Sequence, residues 1–255
     1  MPACYRWLGV IVPVLLVVYW EYQGRLGALP RYLPAPSVIA RQWWEMLLGG
    51  DLLRHTAAST FRALAGFAIG AMLGASVGLF AAALRPVERF YEPIISLTYP
   101  IPKIAALPII FAWFGLGDVS KIVIIFVSVF YPLYVTALAG AKSTSRVHIW
   151  AARSMGARPI TIVFRVLLPA ALPQLFNGLR VGLALAFVVM FVAEMVSSSE
   201  GLGYLIVFAE QNERFDMMYV AIVTIGIVGF VADRLLLLAR RHLLVGQLAA
   251  TEFRR

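Results

Sequence analysis

Four of the polar side chains inside otherwise apolar runs of this chain could meet a passing solute: Lys103, Asn177, Arg180 and Glu194. An ionised group at the centre of a membrane span costs roughly 2.5–3.5 kcal/mol on insertion scales, so each charge needs a partner or a purpose. Lys103 stands among Pro93, Pro100, Pro102 and Pro108 and requires a carboxylate, backbone carbonyls or water. Two readings stay open for it. It lines a transport path and meets an anionic substrate there, or it snorkels to an interface or forms a structural ion pair. Asn177, Arg180, Ala184, Phe187, Phe191 and Glu194 recur at intervals of three and four, which predicts one shared helix face. Arg180 and Glu194 are about 21 Å apart along such a helix and cannot pair with each other. Each is either a translocation-face residue or an interface anchor.

Other chemistry is absent from the pattern. The stretch G-A-K-S-T (140–144) lacks the glycine that a nucleotide-binding loop places immediately before its lysine, and no strand precedes it. ATP hydrolysis by this chain is therefore not expected. His55, His148 and His242 fall outside the expected spans, so no nucleophile and base share a helix. The single Cys4 excludes an internal disulfide and a cysteine metal cluster. No catalytic, cofactor-binding or metal-ligating residue is expected.

The elements that must position these groups are membrane spans. Of the 255 residues, 61% are hydrophobic and 14% charged, against about half and a quarter in soluble domains. The chain reads as an all-α integral membrane protein of one domain, 1–255. Apolar runs predict six spans, at about 7–22, 63–84, 91–114, 122–141, 176–197 and 217–238. Residues 24–62 read as a polar connection holding an amphipathic piece, Val38 to Leu48, with Trp43 and Trp44 suited to a membrane interface or a bundle rim. Gly66, Gly70, Gly74 and Gly78 form a ridge that lets a neighbouring backbone approach. The prolines of the third span predict broken backbone, which is tolerated only against protein or a watery cavity. Transporters build binding sites that way. Gly201–Leu202–Gly203 reads as turn punctuation in an acidic outer loop.

Orientation follows from charge. The net charge of +9 fits the excess of Lys and Arg on the cytoplasmic side better than nucleic-acid binding. Between Val119 and Ala193 there is no Asp or Glu, while Lys142, Arg146, Arg153, Arg158 and Arg165 crowd the loop 146–174. That loop, and both termini, are expected in the cytoplasm. Arg25, Arg31, Arg41, Arg54 and Arg62, all in the outer connection, run against the rule. Within the loop, Val147 to Met155 predicts a short helix with Ile149, Ala152 and Met155 on one face and a stop at Gly156. Pro169 and Pro173 are expected to break the chain before the fifth span.

Short helix, glycine turn and L-P resemble the cytoplasmic coupling loop of permease subunits of ATP-binding-cassette importers. Ala151 and Ala152 match that family's alanines, Gly156 its glycine, and Leu168–Pro169 its L-P. Trp150 stands where the family has an acidic residue. P-I-P-K-I-A-A-L-P-I-I-F-A-W-F-G-L-G (100–117), L-P-A-A-L-P-Q-L-F-N-G-L-R-V-G (168–182) and A-E-M-V-S-S-S-E-G-L-G-Y-L-I (193–206) are similar to the nitrate, sulfonate, taurine and bicarbonate branch. The resemblance implies type I importer architecture with a coupling helix in the inner membrane. It also implies a homodimer, two cytoplasmic ATPase subunits that carry ATP and Mg, and an external solute-binding protein. It marks Ala151, Ala152, Met155, Gly156, Leu168 and Pro169 as ATPase-coupling residues. Lys103 and Arg180 agree with a small anion as cargo. A thiamine precursor or other heteroaromatic solute is the alternative. A secondary transporter would need an internal repeat and deep carboxylates, and no repeat is evident.

Overall fold

The computed structural model describes residues 4–252, with side chains described from 11 to 242. It is almost entirely helical, and no strand occurs among the described residues. In chain order the helices are α1 (Cys4–Arg25), α2 (Pro36–Leu48), α3 (Asp51–Ala83), α4 (Arg85–Thr98), α5 (Leu107–Phe114), α6 (Asp118–Lys142), α7 (Arg146–Ser154), α8 (Pro159–Ile162), α9 (Leu168–Val196), α10 (Leu202–Gln211) and α11 (Phe215–Glu252). Four helical stretches among the described residues are long and apolar enough to cross a membrane: 51–83, 118–142, 159–196 and 215–242. A fifth is the pair α4 and α5, joined by a 3-10 turn at Lys103–Ala106 and bent by 90°. Helix α1, with 22 residues, reaches about 33 Å, close to the thickness of a hydrocarbon core.

Helices α3, α6 and α9 form the centre, and the ridge of small residues explains how closely they pack. A Cβ on Gly74 would sit 2.5 Å from the Phe130 carbonyl oxygen, and one on Gly78 as close to that of Tyr134. Backbone faces backbone there, so neither neighbour can rotate away. Beside that seam, Gly182 of α9 admits Leu133 and Val129, the α6 residues that also meet Gly74 and Gly70 of α3. Ile125, Val129, Leu133 and Ala137 of α6 are fully buried between the two helices.

Several elements depart from the sequence expectations. Helix α3 begins at Asp51, twelve residues before 63, so His55, Ser59 and Arg62 are helical and buried. Polar residues there hid the helix because each finds a partner inside the protein. Residues 85–90 are the first turns of α4 rather than a loop. The outer acidic loop contains α10, whose Leu202, Leu205, Ile206 and Ala209 are buried beside α2 and α11.

Pro169 and Pro173 do not break the chain. Pro169 lies in the first turn of α9, where no helical N–H bond is lost, and Pro173 is accommodated within that helix. A π turn at Val163–Leu167 resets the hydrogen-bond ladder just before them. The end of the loop 146–174 is thereby joined to the rest of α9 by helical backbone from Pro159 to Val196.

The packing is tested by Gly74→Ala. Overpacking against a backbone carbonyl is expected to lower stability by about 1–3 kcal/mol, read as a fall in the unfolding midpoint of the purified protein. Gly226→Ala, where an added Cβ meets nothing within 4 Å, is expected to leave the midpoint unchanged or raise it.

Candidate functional site

Three regions carry the polar chemistry of this molecule. The first closes the outer ends of α3, α6 and α9. Glu194, one turn from the end of α9, has a side chain with 0% exposure and faces Arg62 of α3 at 3%. Arg62 Nη1 donates to Glu194 Oε1 at 2.7 Å, and Ser59 Oγ donates to the same carboxylate at 2.7 and 2.9 Å. The Gly203 amide donates to the other oxygen at 3.0 Å.

The loop between α9 and α10 is built onto this pair. Leu202 N donates to Ser59 Oγ at 2.7 Å, and Gly201 N donates to His55 Nδ1 at 3.0 Å. Gly201 has φ of 120°, and a Cβ there would lie 2.5 Å from both carboxylate oxygens of Glu194. Gly203 therefore serves as an amide donor to the buried charge and Gly201 as the residue without a Cβ that lets the loop close over it, roles that turn punctuation does not reveal. Arg62 also reaches Asp118 (Nε to Oδ1, 2.6 Å) and the Glu200 carbonyl (2.8 Å), which fastens α6 and the loop to α3. Lys121, 1% exposed, donates to the Leu116 and Gly117 carbonyls at 2.7 and 3.1 Å and closes the α5–α6 turn.

Carboxylates also answer the outer arginines. Glu21 pairs with Arg25, Glu45 with Arg41, Glu200 with Arg54 and Glu194 with Arg62. Four of the five cations that strain the charge rule are thus locally neutralised. The outer connection is therefore far less basic than its arginine count suggests.

The second region is the bend of the third span. Lys103 lies at the bend, and its ammonium donates to the carbonyls of Thr98, Tyr99 and Ile101 at 2.8, 2.6 and 2.9 Å. A cavity of about 310 Å³ opens beside it, lined by Tyr99, Ser128 and Tyr131 with Val181 and Leu185 of α9. A second, of about 380 Å³, shares Lys103 and Tyr131 and continues along α5 to Trp113. Of the polar residues singled out in the spans, Lys103 is the one that lines these cavities.

The others are placed elsewhere. Arg180 makes a two-point ion pair with Asp233 of α11, at 2.7 and 3.2 Å. Asn177 is exposed on α9, on the same side as Val181 and Leu185. Glu194 is buried in the outer cluster. The row 177–180–184–187–191–194 advances by an average of 3.4 residues per step, so over its length it rotates by about 100° around a 3.6-residue helix. It starts exposed at Asn177, Arg180 and Ala184 and ends buried at Phe187 and Glu194.

The third region is the loop 146–174. Ala152 of α7 is buried and Ile149 packs on the core, whereas Val147, Trp150 and Ala151 face outward. Met155 does not join the inner face. Helix α7 ends at Ser154, and Met155 is 81% exposed. The stop is a Schellman turn: Ala157 N donates to Ala152 O at 3.0 Å, Gly156 N to Arg153 O at 2.9 Å, and Gly156 has φ of 76°. A cavity of about 420 Å³ separates this turn from Leu84 and carries Arg153 and Arg158 at its rim. Leu168 packs on the core, while Pro169 begins α9.

Comparison with known proteins agrees with this arrangement. Residues 54–244 match the family model described as "Binding-protein-dependent transport system inner membrane component". The chain is 32% identical over 242 residues to the "Putative aliphatic sulfonates transport permease protein SsuC" of Bacillus subtilis (strain 168), covering 94% of this chain and 88% of that one. It is 32% identical to the "Taurine transport system permease protein TauC" of Escherichia coli (strain K12), covering 86% and 82%. Among solved structures, an inward-facing conformation of the MetNI methionine ABC transporter superposes with a TM-score of 0.65. That match has 22% identity and covers 77% of this chain and 97% of that one, so the fold is shared.

The outer cluster is tested by Glu194→Ala, which takes the acceptor from Ser59 and the Gly203 amide while Asp118 still holds the Arg62 guanidinium, and is expected to cost about 1–3 kcal/mol. Removing Arg62 as well is expected to cost less than the sum of the two single changes, measured as unfolding midpoints in a double-mutant cycle.

Proposed function

The chain belongs to the binding-protein-dependent transport system inner membrane components, the permeases of ABC importers, and we propose that its cargo is a small anion of the sulfonate or taurine type. The observation that carries this reading is the fixed positive charge of Lys103 at the cavities between the bent third span and α9. The cargo named for the SsuC and TauC relatives supports it. An anion reaching that depth loses its hydration, and the ammonium of Lys103 offsets part of that cost.

The drive comes from a separate ATPase with its own ATP and Mg, gripping the cytoplasmic loop through the outward side of α7, Ala151 and Met155. Gly156 gives the loop its sharp turn, and Ala152 presses its inner side on the core. The continuous helical backbone from Pro159 to Val196 supports a direct linkage: a push on α7 enters α9 through the π turn and the segment around Leu168 and Pro169. Helix α9 lines the Lys103 cavity and ends at the Arg62–Glu194 pair, so one element joins the handle, the path and the outer closure. A second copy of the chain faces this one across the path. An external binding protein delivers the solute to the outer loops, and both termini lie in the cytoplasm.

Changing Gly156 to Leu places a side chain at φ 76°, where L residues are strained by about 1–2 kcal/mol. Solute uptake by the reconstituted transporter is expected to fall about tenfold or more while ATP hydrolysis persists, the mark of a lost mechanical linkage. Wild-type uptake in this variant would contradict the coupling role.

A further inference from the structure

The bend of the third span leaves backbone oxygens without helical partners. Pro102 has no N–H to bond the Thr98 carbonyl, as a continuous helix would require, so that carbonyl keeps only the Ile101 N–H of a tight turn, at 3.2 Å. In hydrocarbon no water compensates such groups, and at this cavity wall the chain supplies a partner of its own. The carbonyls of Thr98, Tyr99 and Ile101 instead converge on one point, occupied by the Lys103 ammonium at 2.6–2.9 Å. An ammonium has three hydrogens, and three carbonyls take them. The Tyr131 ring covers the same nitrogen at 4.1 Å and the Tyr99 ring at 5.5 Å, both within cation–π range. The Tyr131 hydroxyl donates to Thr98 Oγ1 at 2.9 Å and holds α6 against the bend. Among the described residues no carboxylate comes within ion-pair distance of Lys103.

Carbonyl oxygens with an aromatic face and no acid are the donor set of a site for a monovalent cation. We propose that the bend is a cation site of the alkylammonium class, formed by the carbonyls of Thr98, Tyr99 and Ile101 with the ring of Tyr131, and that the protein fills it with its own Lys103. Lys103 is then a positioning residue. Its hydrogens are committed to the backbone, so it holds the 90° bend and contributes a field to the cavity without grasping the passing solute. The inference goes beyond the transport reading and stands on the bend alone.

Lys103→Ala removes the atoms of one n-propylammonium, and that ion is the probe. In the purified permease, n-propylammonium is expected to raise the unfolding midpoint of Lys103→Ala by about 2–4 °C, an effect absent from wild type. The neutral 1-propanol is expected to do nothing. Lys103→Met fills the channel with an uncharged chain and is expected not to respond. Equal stabilisation by propanol, or none by propylammonium, would overturn the assignment.

If Lys103→Ala cannot be purified, the unaltered protein supplies the test. Lys103 is expected to react with an acetylating reagent about tenfold more slowly than the half-exposed Lys142, and comparable rates would overturn the proposal. In proteoliposomes, propylammonium is expected to restore uptake by Lys103→Ala. A rescued midpoint without rescued uptake would uphold the cation site and count against the transport reading instead.

Discussion

In apolar surroundings every charge and every backbone carbonyl must be answered by the chain itself, because water is not there to do it. The irregular parts of this molecule are solutions to that constraint. Glu194 enters the bundle as a naked carboxylate and is met by a guanidinium, a hydroxyl and a backbone amide from two other segments. Carbonyls freed at the 98–102 bend are met by Lys103, and those at the α5–α6 turn by Lys121. Each solution ties together elements far apart in sequence, so the polar groups specify how the helices sit as well as how they are satisfied. A buried pair of this kind is weak evidence for net stability, since an apolar substitute of equal volume is often as stable. Its strength lies in the cost of having only one partner present.

Between these fixed points the packing is apolar and close. Helix α6 is held by the α3 glycine row and by small residues of α9, with backbone against backbone at Gly74 and Gly78. Dispersion at such short range resists shear locally but leaves whole helices free to tilt as rigid bodies. A permease needs both properties. The Arg62–Glu194 cluster ties one end of the bundle, the bent span supplies the cavity wall, and the backbone between Pro159 and Val196 reaches from the turn after α7 to that cluster.

Much of this was legible in the sequence, and the failures have physical reasons. Composition and the runs of apolar residues gave the membrane class, and the small-residue row announced a close helix contact. Glycine at 156 marked its turn because the left-handed conformation leaves few alternatives. The need of Lys103 for carbonyls, acids or water was evident from insertion energetics, and carbonyls supply it. The partner of Glu194 was not legible. Arg62 lies 132 residues away, and an ion pair between separate helices leaves no periodic trace in either. Helix α3 was truncated for the same reason, since Arg62, Ser59 and His55 look like loop residues until their partners are in place. Prolines misled in the opposite direction at 169 and 173: the first falls in the first turn of α9 just after a π turn, and the second sits inside a helix that continues through it.

The proposed linkage requires a separate nucleotide-driven motor to grip the outward side of α7 and the adjoining Met155. A photo-crosslinking amino acid at position 155, whose native methionine is 81% exposed, tests it most directly in membranes that contain the whole transporter. The account predicts a covalent adduct with the ATPase chain whose yield changes when ATP is added. Adducts with lipid alone, or labelling of position 155 by an impermeant reagent added from outside, would contradict it.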